Sequence, residues 1–207
     1  MGVPVLIMGE SGTGKSYSLR DMPADKTAVI NVLNKPFPFK SQLRSYHSRD
    51  FDKVISAVRR AETRAMVIDD FGYLITNLYM RYSYGPEKMH DQYDLYKLLG
   101  NKVWTLITTV QEELPDEEIV YFVMHTDSDA LGHTVPATVG RMLNEKINLV
   151  GMFSTLFLSV YEGGEYRFVT NNRPPAKSAP GMFEDSIPNN LFEADKAMRE
   201  YWGFQPL

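Results

Sequence analysis

The apolar run Val3 to Met8 passes straight into Gly9-Glu10-Ser11-Gly12-Thr13-Gly14-Lys15-Ser16, and this junction restricts the fold more than any other feature. The eight residues complete the pattern G-x-x-x-x-G-K-[ST], whose chemistry requires a strand before it and a helix after it. Val3 to Met8 reads as that strand, with Pro4 near its start, and Ser16 to Asp21 as a short helix stopped by Pro23. The glycines let successive amide N–H groups turn inward as an anion nest, and a helix N-terminus adds a favourable dipole. Lys15 is expected to reach the β- and γ-phosphates of a nucleotide, and the Ser16 hydroxyl to ligate Mg²⁺. The whole nucleotide-binding segment then runs from Gly9 to Tyr17. A chance match in a glycine-rich turn is the competing reading, and the strand in front weighs against it.

A second mark is Ala65-Met66-Val67-Ile68-Asp69-Asp70, an apolar strand ending in a carboxylate, as in a Walker B strand. Asp69 at the carboxyl end would face the phosphate loop and hold Mg²⁺ through water. Asp70 either polarises the attacking water or caps the following segment; two adjacent carboxylates do not both point at one metal. A third mark is His125, directly after the apolar run Ile119 to Met124. In a parallel sheet that position shares an edge with the phosphate loop. His125 is either a γ-phosphate sensor feeding the loop Asp127 to Pro136, or a strand-end residue bonded to a neighbour.

Further β-rich or apolar runs fall at Thr27 to Leu33 and Phe153 to Tyr161, the latter joined to Tyr166 to Thr170 across Glu162-Gly163-Gly164-Glu165 as a hairpin. Helical spacing appears from Asp50 to Glu62, with Asp50 as N-cap, and from Leu74 to Arg81, broken at Gly85-Pro86. It appears again from Met89 to Glu113, doubtful around Gly100, with shorter helices at Val139 to Glu145 and Leu191 to Tyr201. Asn34 to Lys40, with Pro36 and Pro38, is a loop in which Phe37 and Phe39 pack on apolar surface, and Asp127 to Pro136 reads as a mobile loop. Strands alternating with helices define an α/β domain over residues 1–207 with a mostly parallel central sheet and a C-terminal antiparallel hairpin. Residues 171–207 form its partly irregular end.

Composition removes several function classes. The 207 residues are 43% hydrophobic, which argues against disorder, and no run reaches the ~18 apolar residues of a membrane span. Without Cys there is no thiol nucleophile and no thiolate metal site. The opening MGVPVLIMG is too short for a signal peptide, and Leu6 spoils a myristoylation signal at Gly2. A net charge of −4 argues against a coat of nucleic-acid-binding charge but not against a local basic groove. Arg44, Tyr46, His47 and Arg49 form one basic-aromatic cluster, Lys35 and Lys40 flank the proline loop, and Arg81, Tyr82 and Tyr84 form another cluster.

With these marks in place, the chain resembles RecA-like P-loop ATPases of phages, in particular the compact single-strand-annealing recombinases described as AAA-domain phage proteins. The resemblance rests on MGVPVLIMGESGTGKS, AVINVLNKPFPF, AMVIDDFGYL, FVMHTD and AKSAPGMFEDSIPNN. It implies a RecA-like core that binds ATP and Mg²⁺ at sites between subunits of a homo-oligomer. It also implies action on single-stranded DNA in recombination, in the bacterial host cytoplasm, beside a phage or host single-strand-binding protein, with no membrane role. Lys15, Ser16 and Asp69 match the nucleotide machinery, and His125 the polar sensor.

One departure stands out. Where such enzymes carry a catalytic Glu after the second strand, this chain reads Asn31-Val32-Leu33-Asn34, so water activation falls to Asp70, to Glu10, or to a slow site. Lys177, ahead of Arg173 and Lys146, is the cation expected to enter a neighbour's site; a plain surface charge is the alternative. The rival function is an accessory ATPase acting on a protein partner in replication or packaging. A small-molecule kinase is disfavoured by the tandem Asp69-Asp70 and by the lack of an Arg-rich lid.

Overall fold

The computed structural model describes residues 1–207 except Gly85 and Arg141, so the expected break at Gly85-Pro86 lies partly outside the described residues. Nine strands form one sheet: β1 (Val3–Gly9), β2 (Thr27–Asn31), β3 (Arg44–Tyr46), β4 (Ala65–Asp69), β5 (Ile119–Ser128), β6 (Thr134–Pro136), β7 (Thr155–Glu162), β8 (Glu165–Val169) and β9 (Ser186–Pro188). Their order is β3-β2-β4-β5-β1-β7-β8-β9, with β6 paired to β5 off that path. The strands from β3 to β7 in this order run parallel, and β8, β9 and β6 are antiparallel additions. This is the expected α/β domain with a mostly parallel sheet and a C-terminal hairpin.

Alternation along the strands sorts the core into two layers, because successive side chains point to opposite faces. Leu6, Met8, Ile30, Ile68, Phe122 and Leu156 pack under α1 (Phe51–Arg59), α2 (Phe71–Ser83) and α3 (Gln92–Glu113). Val5, Ile7, Val29, Val67, Tyr121 and Phe157 face the opposite layer, where α4 (Leu191–Trp202) and the Leu19 turn cover them. Sheets buried on both faces read as continuous apolar runs, which is how β1, β4 and β5 look in the sequence. Asp50 caps α1 by accepting from the Lys53 amide, and Asn190 caps α4 through the amides of Phe192 and Glu193. Gly163 and Gly164, both at positive φ, close a two-residue hairpin loop between β7 and β8. Among the described residues no helix is long and apolar enough to cross a membrane.

Several expectations need correction. Asp127 to Pro136 is not a free loop: β5 continues through Ser128 and folds back on β6 with Thr126, Asp127 and Ser128 opposite Pro136, Val135 and Thr134. Its tip is closed by the Asp129 carboxylate, which accepts from the amides of Leu131 and His133. The hairpin runs past the apolar stretch of β5, and of its β6 residues only Pro136 is buried, so it shows no apolar alternation. The helix passes Gly100 unbroken, since glycine there serves close packing: a Cβ would lie 2.7 Å from Ile147 Cδ1. The strand at Thr27 stops at Asn31, and β3, whose residues are all exposed, carries no apolar signal. The short helix expected at Val139 to Glu145 is a π-helical turn, Leu143–Ile147, followed by a 3-10 turn, Leu149–Met152.

One buried polar network fastens α4 to the sheet. Tyr121 donates to Asp195 Oδ2 at 2.5 Å, Arg199 Nε donates to Asp195 Oδ1 at 2.5 Å, and the guanidinium also reaches the carbonyls of Glu117 and Arg64. Asp195 and Arg199 are almost completely buried, so removing one partner strands the others. Arg199→Met is expected to cost about 3–5 kcal/mol in urea denaturation. Glu118 is buried with one carboxyl oxygen unpartnered, and burial pushes its pKa up to about 7. Between its ordinary value and about 7 the folded protein then holds a proton the unfolded chain has lost, so stability falls as pH rises through that window. Glu118→Gln should remove the fall and be stabilising by up to about 3 kcal/mol at pH 8 while near neutral at pH 4, measured by denaturation at both values.

Candidate phosphate-binding site

β1 and β5 pair in parallel so that Gly9, the root of the glycine loop, lies opposite His125. β4 follows on the far side of β5, and its last residue is Asp69. The three marks found in the sequence therefore meet at the carboxyl edge of the sheet, around a cavity of about 530 Å³ lined by Ser11, Gly12, Gly14, Lys15, Ser16, Tyr17, Asp69, Asp70 and His125. Ligands of open α/β sheets settle at such an edge, where the chain leaves one strand and crosses to another.

The loop itself is built for an anion. Gly12 and Gly14 take positive φ, and among the described residues the amides of Ser11, Gly12 and Gly14 meet no protein acceptor. Gly14 is also sterically required, since a Cβ would lie 2.8 Å from Tyr166 Cδ1. The segment after the loop is a six-residue 3-10 helix, Ser16–Asp21. Its dipole is small, so the nest amides and Lys15 supply most of the attraction, a correction to the expected helix-end contribution.

Lys15 is 7% exposed, and its Nζ donates to the carbonyls of Gly9 at 2.9 Å and Glu10 at 2.6 Å and stands 3.3 Å from His125 Nδ1. Burial lowers its pKa to about 8. Asp69 is equally buried and accepts from Ser16 Oγ at 3.1 Å; burial, then the neighbouring Asp70, raise its carboxyl to about 6. A hydroxyl beside a carboxylate suits Mg²⁺, which takes one or two protein ligands and fills the rest of its shell with phosphate oxygens and water. Ser16 and Asp69 fit that requirement, and the described residues contain no cluster of three acidic, His or Cys ligands that would suggest another metal.

Asp70 does not cap α2. It sits in the left-handed region at φ 64 without a capping hydrogen bond, a conformation costly for a non-glycine residue. That backbone holds its carboxylate toward the cavity, where Oδ2 accepts from Lys35 Nζ at 3.2 Å and Oδ1 lies 3.8 Å from His125 Nε2. His125 does not end its strand either, since β5 runs three residues beyond it. Burial, then the Lys15 ammonium, hold its pKa below the ordinary value, so the ring is neutral near pH 7. Its Nδ1 lies beside Lys15 Nζ and its Nε2 faces Asp70 at 3.8 Å, beyond hydrogen-bond distance.

Other expected residues separate from this group. The Glu10 side chain is exposed and borders a neighbouring concavity with Thr126, Glu162 and Arg173; only its carbonyl serves Lys15. Thr13 turns away from the cavity, its hydroxyl donating to Glu10 O. Tyr17 stands half-exposed at the rim, 5.9 Å from the Tyr166 ring, with the Arg20 guanidinium 4.5 Å from its own. Lys177 is not in a flexible stretch: its backbone bridges Leu156, and its Nζ donates to Val150 O at 2.9 Å, well back from the carboxyl edge. Arg173, paired with Glu162 at 2.6 Å, lies nearer the loop, while Lys146 is exposed elsewhere. Asn31 is no base; its side chain bonds the Lys35 backbone and fixes the turn that presents Lys35.

Sequence reasoning missed the outer brace of the loop. Ser159 Oγ donates to Thr13 O at 2.7 Å, and the buried Asn189 donates from Nδ2 to Ser159 Oγ at 3.1 Å. Arg20 donates to Asn189 O at 2.7 Å, and Asn189 Oδ1, without a partner, faces Gly14. Asn189 falls within the AKSAPGMFEDSIPNN stretch but is assigned no role there; β7, paired to β1, carries Ser159, and the return of the chain through β9 brings in Asn189. No protein-family model matches the chain, and no curated protein matches it either. If the loop takes Mg-ATP, Asn189→Ala should leave the fold intact and weaken that binding about tenfold in a calorimetric titration, the worth of one buried hydrogen-bond link.

Proposed function

We propose that the chain is a RecA-like P-loop ATPase that binds Mg-ATP on the Gly9–Tyr17 loop and hydrolyses it slowly. The observation that carries this reading is the convergence of Lys15, the Ser16–Asp69 pair and the His125–Asp70 pair on one cavity. Its strand order supports the same core, with β5 lying between the loop strand β1 and the acidic strand β4.

The nest amides and Lys15 hold the phosphates; to reach them, Lys15 exchanges two loop carbonyls for phosphate oxygens. Ser16 and Asp69 would hold Mg²⁺, which supplies charge neutralisation on the transferring phosphoryl group. His125, bridging Lys15 and Asp70, registers whether Lys15 has moved. Asp70 is the carboxylate positioned to orient water, but Lys35 and His125 engage its two oxygens. The Lys35 ammonium on Oδ2 makes Asp70 a weaker base, which supports slow turnover.

The family stretches support action on single-stranded DNA in phage recombination, as a homo-oligomer with intersubunit nucleotide sites in the host cytoplasm, beside a single-strand-binding protein. Arg173, at the carboxyl edge, is the better placed cation for a site across a subunit boundary; Lys177 would first have to leave Val150. The rival, nucleotide-driven assembly on a protein partner, is favoured by Leu131, 81% exposed at the tip of the β5–β6 hairpin that continues from His125.

Lys15→Ala is expected to abolish binding of a fluorescent ATP analogue. Asp69→Asn should keep metal-free binding and lose the gain that Mg²⁺ brings. Wild-type affinity in both variants would refute the assignment.

A further inference from the structure

The larger concavity of the molecule, about 680 Å³, lies away from the phosphate-binding site. It is a groove bounded by the segment from β3 into the first turn of α1, by the second half of α2 and by α3. Clusters far apart in the sequence meet there: Tyr46 and Arg49, then Lys53, then Arg81 and Tyr82, and finally Lys102. We propose that this groove binds the phosphodiester backbone of single-stranded nucleic acid, with Arg49 and Lys53 as its primary phosphate contacts. The proposal rests on the recombination reading above and gives it a surface.

The charge distribution selects those two residues. Arg81 is held by Glu87 at 2.5 Å and lies 3.5 Å from Asp50, and Lys102 is held by Asp52 at 2.6 Å. Arg49 and Lys53 have no carboxylate partner among the described residues, and both are exposed. The paired cations are on the surface, where such bridges are worth little and exchange readily for a polyanion. The groove thus carries four cations against two carboxylates: Arg49 and Lys53 flank Asp50 and Asp52 on one segment, Arg81 and Lys102 approach those carboxylates from α2 and α3, and Glu87 is bonded to Arg81.

The aromatic rings select nucleic acid over an acidic peptide. Tyr46 is 46% exposed on the edge strand, and the Arg81 guanidinium stands 5.4 Å from the Tyr82 ring. Cations around the open Tyr46 face accept phosphates and a stacked base together, without regard to sequence, while Tyr82, half-buried against the core, supports the Arg81 guanidinium. An acidic peptide would use the cations and leave the Tyr46 ring unfilled.

The groove is also wired to the nucleotide site. His47 Nδ1 donates to Asn31 O at 2.9 Å, Asn31 holds the Lys35 backbone, and Lys35 Nζ reaches Asp70 at 3.2 Å. A second link is α2, which starts beside Asp70 and donates from Asn77 to Arg49 O at 3.0 Å. Nucleotide that displaces Lys35 or Asp70 therefore acts on the turn carrying Arg49, and strand affinity should change with Mg-ATP.

The test is fluorescence anisotropy of a labelled oligo-dT at ~50 mM salt, with and without a slowly hydrolysed ATP analogue, a salt at which phosphate contacts dominate. Arg49→Glu with Lys53→Glu should weaken binding at least about tenfold and flatten its salt dependence, while ATP affinity and the urea midpoint stay unchanged. Tyr46→Ala should weaken it several-fold, and Lys196→Glu on α4 should have no effect. If the charge reversal disturbs the fold, Arg49→Gln with Lys53→Gln gives the same reading at lower amplitude.

Wild-type affinity in the charge variants overturns the groove alone. A wild-type protein that binds ATP but never oligo-dT overturns the groove together with the recombination reading. If ATP binding fails, the oligo-dT arm still decides the groove by itself. Competition by polyglutamate as strong as that by unlabelled oligo-dT overturns the choice of nucleic acid.

Discussion

The site depends on the burial of β1. Val5, Leu6, Ile7 and Met8 are inaccessible to solvent, and the strand is paired on both edges, to β5 over its whole length and to β7 over four residues. A strand fixed on both faces and both edges cannot slip, because a one-residue shift would turn its apolar set inside out. That immobility places Gly9 beside His125 on one side and its backbone against Ser159 on the other. The glycine loop therefore springs from a strand held on both faces and both edges. A nest of free amides is costly to preorganise, and a rigid root lowers the entropy lost when an anion is bound.

Around that root the protein keeps charges it does not stabilise well. Lys15 and Asp69 are buried, and burial pushes both toward their neutral forms. A polyphosphate with a divalent cation reverses both pressures at once, since phosphate favours the ammonium and the metal favours the carboxylate. Near pH 7 both groups are still mainly charged, so a ligand that brings the two opposite charges together would relieve the strain of their burial without a change of protonation. His125 and Asp70 stand between these groups and Lys35. Any movement of Lys15 is felt there, and through Lys35 at Asn31 and the edge of the sheet.

How much of this was legible follows from where each signal resides. The glycine loop, the acidic strand and the strand before His125 are local patterns, and all three fell where expected because contiguous residues encode them. β3 was missed because its residues face solvent, and the β5–β6 hairpin because its short, half-buried strand Thr134–Pro136 carries no apolar alternation. Gly100 suggested a helix break, yet tertiary packing on Ile147 explains it. Lys177 drew attention as a cation among prolines, and only the bridge to Leu156 shows that it is tied down. Ser159, Asn189 and the meeting of Arg49 with Arg81 depend on contacts between distant segments.

The sequence by itself determined the class of fold, the glycine loop with the strand before it and the types of chemical group around it, since each is a matter of residue type at short spacing. Tertiary structure alone decided how the two carboxylates that line the cavity divide, Asp69 toward Ser16 and Asp70 toward Lys35, because the left-handed backbone at Asp70 belongs to the β4–α2 junction. It also decided where the scattered cations act. Charge pattern along a chain does not say which side chains share a surface; the crossing of α1, α2 and α3 over the sheet does.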